Sequence, residues 1–365
     1  MGQDAVLHHR EDSVNNRWLI LGSGESGKST IFSHLCHPVE NPNHFDVYFS
    51  LLRQLCVNWL DDDSKLQMRN QYNEHEMIDV LLDETFFKTY NDLDEKSCGA
   101  MLKQIWSNYL SKAYDRYRLE IQYCENMDTL SNLVPNFGAN TQHIVRLLSM
   151  KSTSVSECVF DYMCKSFKIT DMGGVRNERK KWYSYLIDSK RALFVVSLVG
   201  FLQTTIEDDL INRLENDLEL FEELCPFFQR KQYHVTLIFT KPDILLKVLN
   251  DRSLQSPGPI EAKVRSELQR LKSHNQIEVF ISNIVTRFES IYRQYFDSAS
   301  FMYHIVNTTS DEEMGVLIRC LFGSNNSISH LSYCLYERMC TFTQDKLLMF
   351  ARQKVGNFAD IELVT

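Results

Sequence analysis

The sequence predicts an α/β fold with a mostly parallel sheet, interrupted by an all-α block, on three observations. A short apolar strand, Arg17 to Leu21, runs straight into a glycine-rich turn. Beyond residue 148 strand-like and helix-like runs alternate, the pattern of βαβ units. Between these parts, from Phe45 to about Met127, strand signal is scarce and the segments Tyr48–Trp59 and Met101–Tyr117 are amphipathic at helical spacing.

In chain order, a helix is expected from about Ser29 and ends before Pro38. The acidic run Asp61-Asp62-Asp63 reads as a solvated loop or helix start and not as a metal cluster. The apolar runs Ser166–Thr170, Leu193–Leu198, His234–Thr240 and Phe301–Val306 read as strands, while Glu207–Leu224, Ile260–Leu271 and about Leu331–Gln353 read as helices. There are no internal repeats.

Composition bounds the function. Hydrophobic residues make up 44% of the 365 and charged residues 24%, which is globular and excludes disorder of the whole chain. A formal charge of −9 argues against salt-driven binding along nucleic acid. The ten cysteines lack Cys-x-x-Cys or zinc spacing, and reduced, mostly buried thiols in a cytoplasmic protein are expected. The longest apolar run, Ala192 to Leu202, is broken by Ser197 and Gly200 and is too short to span a bilayer. No apolar N-terminal region resembling a signal peptide is present, and Val6, where Ser or Thr is favoured, weighs against myristoylation of Gly2.

Three motifs carry chemistry. Gly22-Ser23-Gly24-Glu25-Ser26-Gly27-Lys28-Ser29 fits G-x-x-x-x-G-K-[ST] between a strand and a helix. Glycines let backbone N–H groups turn inward around phosphate oxygens, and the helix N-terminus adds a field that favours anions. Lys28 is placed to reach the β- and γ-phosphates and Ser29 to hold Mg²⁺. Next, Asp171-Met172-Gly173-Gly174 ends a buried strand; the acid suits a Mg²⁺ water shell, and Gly174 lets its N–H approach a γ-phosphate. Finally, Thr240-Lys241-Pro242-Asp243 ends the strand HVTLIFT. A carboxylate at Asp243 accepts from N1–H and the 2-amino group of guanine, donors that adenine lacks.

The wording GSGESGKST, the run DMGGVRNERKKW and the helical insertion between them resemble the α subunits of heterotrimeric G proteins, from about residue 17 to 310. The resemblance implies a Ras-like P-loop GTPase domain over 17–40 and 148–365, a helical insertion domain over 41–147 and a short N-terminal segment, 1–16. It implies GTP or GDP with Mg²⁺ bound by Gly24, Glu25, Ser26, Gly27, Lys28, Ser29 and Thr30 of the first motif, and by Asp171 and Gly174 of the second. Thr240, Lys241, Asp243 and Thr308, the last within Val306-Asn307-Thr308-Thr309, would serve the base. Implied partners are a βγ dimer, a receptor and an effector, with Arg176 to Trp182 as the second switch, and peripheral contact at the cytoplasmic face of the plasma membrane is left open.

The departures from the family pattern fall on hydrolysis. Val175 stands where the family has the water-orienting glutamine. Aligning PNFGANTQHIVRLL without a gap puts Leu148 at the catalytic arginine, with Arg146 as the nearby candidate to substitute. Ser152 or Thr153, after a one-residue shift, takes the place of the second Mg²⁺ ligand, and Thr240 replaces an asparagine. The expectation is therefore a GTP/GDP switch in receptor-coupled signalling with very slow hydrolysis, or alternatively a pseudo-GTPase adaptor. Asp243 and ERKKW disfavour a P-loop kinase or ATPase. The roughly sixteen residues before the first strand and Gln3, in place of a palmitoylated cysteine, weaken the inference of βγ and membrane contact.

Overall fold

The computed structural model describes residues 16–36, 44–72, 76–82, 95–117, 126–133, 155–163, 165–205, 211–250, 277–297 and 301–323. Its sheet has six strands in the order β2-β3-β1-β4-β5-β6. These are β1 (Arg17–Leu21), β2 (Ser156–Tyr162), β3 (Lys165–Asp171), β4 (Arg191–Ser197), β5 (His234–Thr240) and β6 (Met302–Val306). All neighbours pair in parallel except β2, which runs antiparallel to β3 at the edge.

Strand alternation divides the core into two layers. Leu19, Leu21, Phe194, Val196, Leu237 and Phe239 pack on one face with residues of α9 (Arg213–Lys231) and α11 (Ile277–Tyr295). Trp18, Ile20, Ile169, Leu193, Val195 and Ile238 pack on the other with α1 (Lys28–Leu35) and α12 (Asp311–Phe322). Both faces being covered explains why the parallel strands read as near-continuous apolar runs. The register Ile20 to Asp171 and Ser197 to Thr240 to Val306 aligns the carboxyl ends of these strands along one edge, where open α/β sheets place ligands.

A separate apolar cluster joins the helices α2 (His44–Trp59), α3 (Asp62–Gln71), α4 (Glu76–Leu82), α5 (Glu95–Ile105), α6 (Ser111–Tyr117) and α7 (Met127–Leu133). Tyr48, Leu52, Met68, Leu102, Trp106 and Leu130 are among its members, and the Tyr48 hydroxyl bonds Ser131 Oγ at 2.9 Å inside it. Helices α5 and α6 are joined by one π-helical turn, Trp106–Leu110. The acidic run is a helix start: Asp61 caps α3 by accepting from Ser64 N at 2.8 Å, and Asp62 and Asp63 lie in the first turn. The expected boundaries near 40 and 148 and the helices at 260–271 and 331–353 lie outside the described residues.

Two expectations are corrected. Helix α9 begins later and ends later than 207–224, because Asn212 caps it by accepting from Leu214 N and Glu215 N and because buried Cys225 and Phe228 carry it through Pro226. The thiols are not all reduced. Cys36, which follows α1, is joined to Cys158 on β2 across 122 residues, with Cα atoms 6.1 Å apart. Spacing rules see only local cysteine pairs, so this long-range pair is silent in the sequence. Cys56 and Cys225 remain free and buried, and burial pushes both thiols up to about 12.

Candidate nucleotide site

The glycine-rich loop leaves β1 with Gly22 at φ 140°, where a Cβ would collide with the Val195 carbonyl. That position therefore requires glycine. Glu25 and Lys241, at φ 57° and 62°, hold the left-handed conformation without being glycine. Such strained positions cluster at functional sites, and these two lie within the phosphate loop and the base motif.

Lys28 is buried, and its ammonium donates to Ser23 O at 2.5 Å. Burial lowers its pKa to about 8, with Asp171 and Asp217 pulling it back up and Arg179 and Lys241 opposing them. Ser29 Oγ donates to Asp171 Oδ2 at 2.6 Å, while Asp171 Oδ1 is buried with no hydrogen-bond partner among the described residues. Burial raises the Asp171 pKa, offset by Lys28 and the Ser29 bond. A buried carboxylate oxygen left open costs about 1–3 kcal/mol or more, a deficit that a hydrated cation beside Ser29 would remove. The arrangement fits the Mg²⁺ expected there, and among the described residues no cluster of three or more His, Cys, Asp or Glu offers another place.

Gly174 packs against this centre. A Cβ on it would strike Lys28 Nζ, and would lie 2.6 Å from Gly22 O. Arg179 Nε donates to Gly174 O at 3.2 Å, and Trp182 Nε1 donates to Gly173 O at 2.9 Å, so the run after β3 is folded back on itself. The guanidinium of Arg179 also reaches Asn216 Oδ1 at 3.5 Å.

Thr240 ends β5, as the sequence reading has it. It is fully buried, and its hydroxyl donates to Ser26 O at 2.6 Å, with Val196 O at 3.3 Å. The bond to Ser26 O braces the phosphate loop. Lys241 is buried and Asp243 lies in the first turn of α10 (Pro242–Asn250). The Thr308 carbonyl bonds His34 Nε2 of α1 at 2.8 Å, and Asn307 N donates to Glu313 Oε2 of α12 at 2.7 Å, which fixes the third loop.

A model of the G-protein alpha subunit family matches residues 2–321. The chain belongs to the G-protein alpha subunit family. It is 26% identical to the guanine nucleotide-binding protein alpha-7 subunit of Caenorhabditis elegans over 329 residues, covering 83% of this chain and 86% of that protein. It is 26% identical to the alpha-9 subunit of Dictyostelium discoideum over 255 residues, 66% of this chain and 73% of that one. To the alpha-16 subunit of C. elegans it is 28% identical over 258 residues, 64% of this chain and 70% of that one.

Within this alpha-subunit fold, Val175 is buried at 7% exposure, with its carbonyl accepting from Glu178 N at 2.8 Å. An aliphatic side chain there has no atom with which to hold water. Leu148, Arg146, Ser152 and Thr153 lie outside the described residues. Among the described helices none is long and apolar enough to cross a membrane. Sequence reasoning missed two residues of this alpha subunit's site. Arg213 opens α9 and pairs with Glu25 of the phosphate loop at 2.6 Å, both side chains buried, while also donating to Gln203 Oε1 at 3.0 Å and Thr204 O at 3.2 Å. Asp217, one turn on, is fully buried and accepts from Ser23 N at 3.3 Å. The only local signal was charge on an otherwise apolar helix face.

Proposed function

We propose that this alpha subunit binds GTP and GDP with Mg²⁺ and acts as a nucleotide switch whose own hydrolysis is very slow. The observation that carries the reading is the linked set Lys28, Ser29, Asp171 and Gly174, a buried cation, a hydroxyl and an open carboxylate oxygen gathered where the carboxyl ends of β1 and β3 meet. Backbone N–H groups of Gly24 to Ser29 would receive the phosphates, and Lys28 would supply the charge. Ser29, and Ser152 or Thr153, would hold Mg²⁺, which neutralises phosphate charge when bound. Lys241 would lie along the base and Asp243 would accept from guanine, with Thr308 presenting its backbone.

Turnover is the weak part. Without a residue that orients water at Val175, and with Leu148 aligned to the arginine position, Arg146 is the one candidate left to supply that acceleration. Binding without turnover would make the chain a GTP-held adaptor, and the apolar Val175 favours that second reading for the catalytic step alone. Just after the second switch, Arg176 to Trp182, Tyr183 and Ile187 are exposed beside buried Trp182, and this surface would suit the βγ dimer or effector that family membership suggests, with a receptor upstream. In a competition titration with a fluorescent GTP analogue and Mg²⁺, GTP and GDP should displace the probe and ATP should not. Equal displacement by ATP would overturn the guanine assignment, and an Asp243→Ala variant retaining full preference would remove Asp243 from it.

A further inference from the structure

One buried charge at the site has no part in the binding scheme above. Asp217 is fully buried on α9, its Oδ1 accepts from Ser23 N at 3.3 Å, and its Oδ2 has no hydrogen-bond partner among the described residues. Ser23 in turn accepts from Lys28 Nζ through its carbonyl at 2.5 Å, so a single residue connects the carboxylate to the phosphate-binding cation. The charged groups around it are Lys28 from α1, Arg179 from the run after β3 and Arg213 from its own helix. Arg213 is already committed to Glu25, and Arg179 to the Gly174 carbonyl and Asn216. Lys28 is shared with Asp171.

Arg179 and Gly174 belong to the end of the cradle that a γ-phosphate would enter. A diphosphate leaves that end empty. A triphosphate brings further negative charge toward a buried carboxylate that has one neutral N–H donor and no cation of its own. In a medium of low dielectric that encounter is costly unless the carboxyl group is neutral.

We propose that Asp217 makes the choice between GTP and GDP proton-linked, so that the triphosphate is held with Asp217 protonated while the diphosphate tolerates it ionised. The inference rests on the guanine-nucleotide reading of this site. The free site is already disposed toward it: burial lifts the Asp217 pKa to about 6, opposed by the Ser23 bond and then by Arg213, Lys28 and Arg179. Protonation leaves Oδ1 able to accept from Ser23, so the loop keeps its anchor, and it removes the charge that competes with phosphate for Lys28. A one-proton linkage makes the preference for triphosphate fall by up to about tenfold for each pH unit above 6.

The test compares affinities for a non-hydrolysable GTP analogue and for GDP, with excess Mg²⁺, between pH 6 and pH 8.5. It uses the full-length protein and the variants Asp217→Asn and Asp217→Ser. The ionisation of the nucleotide itself is common to all three proteins, so the difference in slope isolates the residue. The ratio of triphosphate to diphosphate affinity should decline steeply with pH in the wild type and stay nearly level in both variants, with GDP affinity almost unchanged. Parallel slopes in all three proteins would overturn the proposal. So would loss of both nucleotides in both variants, which would make Asp217 a structural anchor of the loop. Wild-type protein that binds neither nucleotide at any pH would instead refute the nucleotide reading itself.

Discussion

The phosphate loop and the run after β3 meet at Lys28, yet they are built to different standards. On the loop side polar groups are tied down: Thr240 holds Ser26 O, Arg213 holds Glu25, Asp217 holds Ser23 N and Ser29 meets Asp171. On the other side Gly174 is held just as closely through Arg179, but the next residue is Val175, buried and aliphatic. On the proposed reading, the loop side would grip phosphates while Val175 offers no polar atom to direct water at one. On that reading binding and hydrolysis would depend on different residues.

Four variants would sharpen or break that contrast, beginning with the largest effect. Installing glutamine and arginine together, Val175→Gln with Leu148→Arg, should raise single-turnover hydrolysis by about 10³–10⁵, the range associated with a supplied arginine. A quench-flow record showing no gain would mean that the lost rate does not reside at these positions. Lys28→Ala should weaken GTP binding by about 100-fold or more while leaving the fold intact, since a buried charge-assisted contact is removed. Fluorescence titration beside a circular dichroism melt separates the two effects.

Asp217→Asn should change stability with a definite sign. The folded pKa, about 6, lies above the ordinary 3.8, so the folded protein binds the proton more tightly and loses stability as pH rises between those values. The variant should be more stable than wild type above pH 6, by roughly 3 kcal/mol at about 1.4 kcal/mol per pKa unit, and equal to it below about pH 4. Urea midpoints of the nucleotide-free proteins at the two pH values provide the check. The smallest effect expected is from Thr240→Val, which unties one end of the brace and should speed GDP release by about fivefold, in line with about 1 kcal/mol for a hydrogen bond. An unchanged release rate would show that the brace does not hold the loop.

How far the sequence could be read depended on the distance between partners. The strand-turn-helix around Gly22 to Ser29 is specified within a dozen residues, and its glycines and lysine stand in the structure where the motif put them. The apolar strands β4 and β5 were legible because burial on both faces removes polar residues from them. The edge strand β2 was not, although Cys158, Phe160 and Tyr162 alternate with more exposed residues, because such a half-exposed strand lacks a continuous apolar run. Asp217 and Ser23 are 194 residues apart, and Cys36 and Cys158 are 122 apart. No local pattern announces such pairs; the packing of α9 and β2 on the sheet creates them. Thr240 shows a further limit. Its place in the base motif was visible, but the direction of its hydroxyl follows from burial against Ser26.

The central claim is that this alpha subunit retains GTP without cleaving it. Wild-type protein loaded with GTP, freed of excess nucleotide and given Mg²⁺ should still carry intact GTP many minutes later, read by chromatography of the released nucleotide. Conversion to GDP with a half-life on the order of a minute, the scale set by an arginine supplied in cis, would contradict the account.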